Sequence, residues 1–285
     1  MSQTVCEKII SMINSAAKVN LFYREMRYMR KIIVQIYEIQ TKAEAEKMLD
    51  LGVDHIGSVL VSGEDWKEPE IRETVSFVTN AGAVSSLIPL FCAPDTVFRA
   101  LEYYRPGIVH FCDSLADDKG ISEKCAERIS LHQEVKKRFP EIRIMRSIPI
   151  ARPGMGHRVP SLELAKMFES VSDLFLTDTL ILPDRNSDAA AQPVSGFVGI
   201  TGKICDWEIA AELVRISRIP VILAGGLDPD NVADGIARTS PAGVDSCTGT
   251  NAVDKKGRSI RFCKDLEKVR RFAQAVRKAE NENFS

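Results

Sequence analysis

The sequence predicts a closed parallel barrel of the (β/α)8 type, and two observations lead to this fold class. From Lys31 onward, short apolar runs alternate with amphipathic segments of helical period, and eight such pairs follow one another. Continuous apolar strands are typical of a parallel sheet that is covered on both faces. An open nucleotide-binding sheet would need a G-x-G-x-x-G turn after the first strand, and the sequence has none there. We therefore expect a TIM barrel over residues 31–285.

Each predicted pair consists of a strand and the helix that follows it. The pairs are Ile32–Tyr37 with Lys42–Leu51, Val53–Val61 with Pro69–Asn80, Ala83–Phe91 with Pro94–Tyr104, Gly107–Phe111 with a long helix to Arg138, Glu141–Ile148 with Ser161–Ser170, Asp173–Asp178 with Trp207–Ile216, Ile219–Ala224 with Asn231–Arg238, and Gly243–Ser246 with Phe262–Lys278.

Two connections at the carboxyl ends of the strands, residues 151–160 and 179–201, are longer than the usual two to six or so residues. Functional residues of barrels concentrate in such loops. The second connection is either a segment that closes over a ligand or a disordered insertion.

Composition narrows the class of protein. Basic and acidic residues balance at 38 and 39, so charge predicts neither a nucleic-acid nor a membrane partner. The seven cysteines are scattered without a C-x-x-C pair, which is typical of a reducing compartment and gives no metal site. No apolar run is long enough for a membrane span. We expect a soluble cytoplasmic protein.

Residues 1–30 stand apart as a predicted helical extension of the barrel. Apolar residues recur there at near-helical spacing, which favours an amphipathic helix against the outside of the barrel, across its bottom or against a partner subunit. Met26 and Met29 precede the first strand, so a mis-assigned start or a mobile tail is the alternative.

Two glycine-containing turns after the seventh and eighth strands predict a phosphate site. Gly225 and Gly226 form the first turn, and Ser246 and Gly249 lie in the second. Glycines let backbone N–H groups converge on an anion, and (β/α)8 barrels bind phosphate at these two loops. The alternative is that both are only tight connections between strand and helix.

Asp178 is the candidate general acid. It ends the sixth strand, where burial beside an anionic ligand would raise its pKa and suit it to donate a proton. Alternatively, it caps the next turn or pairs with Arg146 or Lys203. Arg146, at the end of the fifth strand, is a candidate substrate-binding residue, as are Thr201 and Lys203 after the sixth.

Three further residues are candidates for the chemistry. Tyr37 and Glu38 end the first strand, and because neighbouring strand residues point to opposite faces, only one of them points inward. Tyr37 can donate a hydrogen bond or stack on a ring, but a pKa of about 10 makes it a poor base. Cys112, at the end of the fourth strand, either ionises in an electropositive mouth or is an inert buried thiol.

Three segments resemble a known family. Thr201–Trp207 resembles the TGK-x-x-DW segment of phosphoribosylanthranilate isomerases. Leu223–Val232 is similar to the family's LAGGL-x-P-x-NV phosphate turn, and Gly243–Ser246 with Gly249 is similar to its GVD-x-S-S-G segment. The resemblance runs from about Lys31 to the C-terminus. It implies a TIM barrel of the ribulose-phosphate-binding type.

The resemblance also implies an activity. The family carries out an Amadori rearrangement in tryptophan biosynthesis, which turns a phosphoribosylamine into an aminoketose phosphate without metal or cofactor. Asp178 matches the family's general acid. The family's base is a cysteine in a K-I-C-G motif at the end of strand one. Here that motif reads Q-I-Y-E, so Tyr37 replaces the cysteine and Glu38 replaces the glycine.

The residues at the positions that the family uses near anthranilate also differ from the family's motifs. The loop after strand two, Ser62–Glu68, lacks the arginine that helps the family to hold anthranilate, and Phe111–Asp113 stands where the family has L-H-G. Losing a positioned base removes roughly 10²–10⁴ in rate. Phosphate binding, which uses backbone N–H groups elsewhere in the mouth, would be untouched.

Two hypotheses follow. In the first, the protein is an isomerase of a phosphorylated sugar, with Asp178 as the acid, Glu38 or Cys112 as the replacement base, and altered specificity at the non-phosphate end. In the second, it is a binding or regulatory barrel that keeps a phosphate ligand without catalysis. We expect a phosphorylated small molecule as the ligand and a homodimer as the candidate assembly.

Overall fold

The computed structural model describes residues 31–117, 120–182 and 192–283. The predicted extension, residues 1–30, lies outside them, as does most of the proline- and alanine-containing part of the loop after the sixth barrel strand. Among the described helices, none combines the length and the apolar character needed to cross a bilayer.

Eight parallel strands close into a barrel, which confirms the predicted fold class. In chain order the strands of the structure are β1 (Ile33–Ile36), β2 (His55–Leu60), β3 (Val84–Pro89), β4 (Ile108–Phe111), β5 (Ala116–Asp117), β6 (Gly120–Ile121), β7 (Arg143–Ile150), β8 (Leu174–Thr179), β9 (Val221–Leu223), β10 (Gly243–Ser246), β11 (Asn251–Val253) and β12 (Ser259–Lys264). Two antiparallel hairpins, β5–β6 and β11–β12, stand outside the barrel, whose strand order is β1-β2-β3-β4-β7-β8-β9-β10. Pairing of β1 with β10 closes it.

Helices follow the barrel strands as the periodicity predicts. They are α1 (Lys42–Asp50), α2 (Pro69–Asn80), α3 (Pro94–Tyr104), α4 (Cys125–Arg138), α5 (Ser161–Phe168), α6 (Trp207–Ile216), α7 (Val232–Thr239) and α8 (Leu266–Asn283). Local sequence sets several of the starts. Thr41 and Glu44 form a capping box on α1, Asp206 caps α6, and Pro69 and Pro94 occupy first turns.

Apolar side chains fill both the inside of the barrel and the layer under the helices. One cluster joins residues from opposite strands, including Tyr37, Val59, Met145 and Ile222, and so lies inside the barrel. The outward residues of β1, Val34 and Ile36, pack instead in a cluster with helix residues. Since both faces of each strand are covered, the strands read as continuous apolar runs.

One predicted element is wrong. The helix expected over Phe262–Lys278 begins only at Leu266, and residues 262–264 belong to β12. The hairpin was missed because β12 carries two basic residues, Arg261 and Lys264, and lacks a continuous apolar run of its own. Glu38 anchors it, since its carboxylate accepts hydrogen bonds from the Arg261 guanidinium at 2.7 Å and from the Phe262 N–H at 3.1 Å.

Candidate active site

A cavity of about 330 Å³, counting its open mouth, lies at the carboxyl ends of β8, β9 and β10. The lining comes from Asp178 on β8, from the end of β10, and from the loops that follow β8, β9 and β10. The remaining lining residues are Ile200, Thr201, Gly202, Gly225, Gly226, Leu227, Asp245, Ser246, Cys247, Thr248 and Gly249.

Both glycine turns line this cavity, and each has a glycine at a position where a side chain would collide with neighbouring backbone. Gly225 and Gly226 have φ values of 90° and 68°, a conformation that favours glycine. A Cβ on Gly226 would lie 2.5 Å from the carbonyl carbon of Lys203, and one on Gly249 would collide with the Leu227 carbonyl oxygen. The backbone itself therefore forms this wall.

Side-chain hydrogen bonds fix the two turns to each other. Asn231 Nδ2 donates to the Gly226 carbonyl at 2.9 Å, and Asn231 Oδ1 accepts from the Asp228 N–H at 2.9 Å. The Ser246 hydroxyl donates to the Leu227 carbonyl at 2.8 Å, which joins the second turn to the first. Helix α7 starts directly behind them, so its N-terminal dipole adds positive potential to this end of the cavity.

Asp178 lies in the cavity without a cationic partner among the described residues. The Thr179 N–H donates to its Oδ1 at 2.8 Å. Burial raises its pKa to about 7, with this hydrogen bond opposing the rise. Gly199 packs so closely that any side chain there would collide with the carboxyl group. Near neutral pH, Asp178 can therefore donate a proton.

The segment from Phe197 to Gly199 covers this side of the barrel mouth. The Val198 N–H donates to the Cys112 carbonyl at 2.8 Å, and Phe197 forms a bridge with Asp113. The loop after β8 thus pairs with the end of β4, and the Asp178 carboxyl lies beneath it.

Asp245, a second acid, also lines the cavity, and sequence reasoning missed it. Gln35 Nε2 donates to its Oδ1 at 3.0 Å. Burial raises the pKa of Asp245 to about 7, and the nearby Asp178 adds to the rise. The signal in the sequence was an acidic residue in the strand that leads into the second glycine turn.

Tyr37 points into the barrel beneath the cavity and does not line it. Its hydroxyl shares hydrogen bonds with Ser86 Oγ at 2.6 Å and with His110 Nδ1 at 2.8 Å. His110 Nε2 contacts Ser147 Oγ at 2.8 Å. Burial raises the pKa of Tyr37 well above its usual value, so the phenol stays protonated.

Glu38 and Cys112 also lie outside the cavity lining. Glu38 has φ +63° and is 1% exposed, and its contacts with Phe262 and Arg261 hold its pKa below the usual value against the opposing effect of burial. Cys112 is buried, and burial raises the pKa of its thiol. Neither group is set up to remove a proton near neutral pH.

The predicted substrate-binding residues separate. Thr201 lines the cavity, whereas Lys203 is exposed and contributes its carbonyl, which accepts from the Thr179 hydroxyl at 2.6 Å. Arg146 is fully buried behind the sheet. It pairs with Asp113 at 2.6 Å and lies over the Phe168 ring, 5.4 Å from its centroid.

The structure thus brings together six of the predicted site residues, namely Asp178, Thr201, Gly225, Gly226, Ser246 and Gly249. Across the part of the chain that the structure describes, no group of three or more His, Cys, Asp or Glu side chains could hold a metal ion.

Comparison with known proteins identifies the family. The family model described as N-(5'phosphoribosyl)anthranilate (PRA) isomerase matches residues 127–275. An N-(5'-phosphoribosyl)anthranilate isomerase of Methanocella arvoryzae is 31% identical over 255 residues, covering 86% of this chain and 97% of that relative. The chain belongs to the phosphoribosylanthranilate isomerase family. Isomerase 2 of Methanosarcina mazei is 33% identical over 191 residues, covering 64% of this chain and 73% of that relative.

Solved structures of phosphoribosylanthranilate isomerases share the fold. The Thermotoga maritima protein, described as monomers generated from a dimeric isomerase, aligns with a TM-score of 0.60 and 18% identity over 87% of this chain and 99% of its own. An isomerase in complex with reduced 1-(o-carboxyphenylamino)-1-deoxyribulose 5-phosphate aligns with a TM-score of 0.59 and 18% identity over the same shares. Thiamine phosphate pyrophosphorylase of Pyrococcus furiosus also aligns, with a TM-score of 0.53 and 16% identity over 91% of this chain and 100% of its own. The fold by itself therefore does not identify the reaction.

The raised pKa of Asp178 predicts how stability depends on pH. The folded protein keeps a proton up to about pH 7 that the unfolded chain releases near pH 3.8, so this group lowers the free energy of unfolding as pH rises between those values. We expect Asp178→Asn to be more stable than wild type by roughly 1–3 kcal/mol at pH 8. The gain should shrink toward pH 4. Urea unfolding at both pH values measures it.

Asp234→Asn is the matched control, because Asp234 is exposed on α7. Its stability should follow the wild-type pH dependence. An Asp178→Asn protein with the same stability difference from wild type at pH 4 and pH 8 would contradict this view of the cavity.

Proposed function

We propose that the protein is an Amadori-type isomerase of a phosphorylated aminosugar, with a specificity at the non-phosphate end that differs from its family's. The observation that carries the proposal is that two glycine turns and the acid Asp178 line a single cavity. The turns suit a phosphate, and the acid suits the sugar ring attached to it.

The phosphate would lie between the turn of Gly225 and Gly226 and the turn of Ser246 and Gly249. Backbone N–H groups of these turns and the start of α7 would offer it hydrogen bonds and a favourable dipole. Thr201, on the adjoining loop, supplies a further hydroxyl. This arrangement needs no basic side chain, which agrees with the exposed position of Lys203.

Asp178 would open the sugar ring. Its proton goes to the ring oxygen as the bond from that oxygen to C1 breaks, and the nitrogen lone pair forms a C1=N⁺ double bond. Gly199 lies against the carboxyl group, with no room for a side chain between them. Removal of the C2 proton then leads to the aminoketose.

The part of the barrel beside β1 and β2, away from the glycine turns, supports an altered specificity. Phe262 of the β11–β12 hairpin packs against the cluster inside the barrel that contains Tyr37. The loop Ser62–Glu68 contributes nothing to the lining of the cavity. These differences from the family's motif pattern support an aglycone that is larger or smaller than anthranilate.

The second candidate is a phosphosugar-binding barrel without catalysis. It is favoured by the state of Tyr37, Glu38 and Cys112, because none of the three is set up to take a proton. The acid Asp178 favours the enzyme, since a binding protein gains nothing from a half-buried carboxyl with a pKa of about 7 next to an anion.

Turnover of phosphoribosylamines tests the proposal. The full chain is incubated with N-(5'-phosphoribosyl)anthranilate and with phosphoribosylamines of other aglycones, and the aminoketose is measured by chromatography. We expect turnover of at least one of them, and a loss of roughly 10²–10⁴ in kcat for Asp178→Asn. Asp234→Asn should be unaffected. Binding of these compounds without any turnover would favour the second candidate.

Gly226→Ala tests the phosphate turn. Gly226 and Gly257 both have positive φ, so alanine strains either position, but only at Gly226 would the Cβ meet another backbone segment. We expect Gly226→Ala to weaken binding of inorganic phosphate at least about tenfold, since the turn must move. Calorimetry measures the affinity. Gly257→Ala should bind like wild type, and equal weakening in both variants would contradict the assignment.

A further inference from the structure

The position of Asp245 in the barrel gives it a geometric relation to Asp178. In the parallel register, Leu176 of β8 pairs with Ile222 of β9, which pairs with Gly243 of β10. Two residues further along each strand, Asp178 and Asp245 therefore lie at one level, on either side of the strand that leads into the glycine turn.

The spacing of the strands leaves room for a substrate between these two acids. Alternate strands of a (β/α)8 barrel send side chains inward in a common layer. Neighbouring strands are about 4.8 Å apart, so the backbones of Asp178 and Asp245 are roughly 10 Å apart and both carboxyls line the same cavity. A sugar whose phosphate lies in the glycine turns would extend its carbon chain between them.

The surroundings of the two carboxyls differ in a way that assigns their roles. Asp245 accepts the Gln35 N–H, and the ammonium of Lys264 on β12 favours its ionised form. Asp178 accepts the Thr179 N–H, and no cation pairs with it among the residues that the structure describes. The charge of each carboxylate opposes ionisation of the other, so the singly ionised pair is favoured, with the charge on Asp245.

Two other titratable groups face Asp245, and neither competes with it for the proton. Burial raises the pKa of Tyr37 and the pKa of the Cys247 thiol, so both groups stay protonated near neutral pH. Protonated phenol and thiol groups can donate hydrogen bonds to a carboxylate, but they cannot take a proton from carbon.

We infer that Asp245 is the general base of this protein, which removes the proton from C2 of the sugar while Asp178 serves as the general acid. The assignment rests on the proposed function. It supplies the base that Tyr37, Glu38 and Cys112 do not provide, and it moves that base from the first barrel strand to the last.

The proton balance closes with these two residues. After ring opening, the Asp245 carboxylate takes the C2 proton, the C–H electrons form C1=C2, and the π electrons of C1=N⁺ return to nitrogen. Asp245 then gives its proton to C1 as the C2 hydroxyl becomes a carbonyl, and the hydroxyl proton goes to Asp178. Both residues end as they began, and neither an oxidant nor a reductant is needed.

The pH dependence of kcat/KM distinguishes a base from a structural residue. For the substrate found in the turnover experiment, we expect a bell-shaped profile centred near pH 7. Asp245→Asn should lower kcat about 10²–10⁴-fold with little change in KM and should abolish the acid limb. Asp178→Asn should abolish the alkaline limb. Asp54→Asn, the same substitution at the opposite end of the barrel, should keep both limbs.

Gln35→Met tests the assignment without removing either carboxyl. Losing the Gln35 N–H destabilises the Asp245 carboxylate, so the acid limb should move to higher pH while the alkaline limb stays. This variant also serves if Asp245→Asn does not fold.

The outcomes separate the two proposals. If the wild type is active and Asp245→Asn keeps its acid limb, or Gln35→Met leaves that limb in place, the assignment of Asp245 is overturned and the isomerase stands. If the wild type turns over none of the phosphoribosylamines, the proposed function fails and the base assignment fails with it.

Discussion

The pairing of the first barrel strand with the last is the constraint on which the cavity depends. Residues Ile33–Ile36 and Gly243–Ser246 are about two hundred residues apart in sequence, yet their register places Gln35 directly beside Asp245. Because closure of the barrel sets this register, the contact between the Gln35 amide and Asp245 depends on the fold and not on a local motif. The same closure brings the Tyr37 N–H to the Ser246 carbonyl at 3.4 Å, so the end of β1 adjoins the second glycine turn.

The residues at the end of β1 make contacts that hold the fold together. Tyr37 is tied into a buried hydrogen-bond network with His110 and Ser86, and Glu38, in a left-handed backbone conformation, holds the β11–β12 hairpin through Arg261. Removing a partner of a buried, hydrogen-bonded carboxylate costs stability, so these contacts of Glu38 support the fold at this end of the barrel. In our proposal the proton chemistry lies on β8 and β10, the strands on either side of β9, where two carboxyls share a cavity whose lining, among the residues that the structure describes, includes no basic side chain. The two glycine turns follow β9 and β10, so the proposed phosphate site and the proposed acid and base lie on neighbouring strands.

The sequence predicted the elements that depend on local residue preferences. The 3.6-residue period, the prolines in first turns and the paired glycines located α2, α3, α6 and the two turns. The hairpin and Asp245 were missed for a common reason, because each depends on contacts between distant segments: Glu38 with Arg261, and Asp245 with Gln35. Arg146 shows the converse. It ends up behind the sheet because Asp113 pairs with it there, and nothing in its strand distinguishes the inward face from the outward one.

The measurement that tests the account most directly is a crystal structure of the full chain with reduced 1-(o-carboxyphenylamino)-1-deoxyribulose 5-phosphate, the ligand of the related isomerase complex. The account predicts the phosphate between the Gly225–Gly226 turn and the Ser246–Gly249 turn, with the first two carbons of the chain between Asp178 and Asp245. A phosphate bound elsewhere, or a carbon chain that leaves the cavity without meeting either carboxyl, would contradict it.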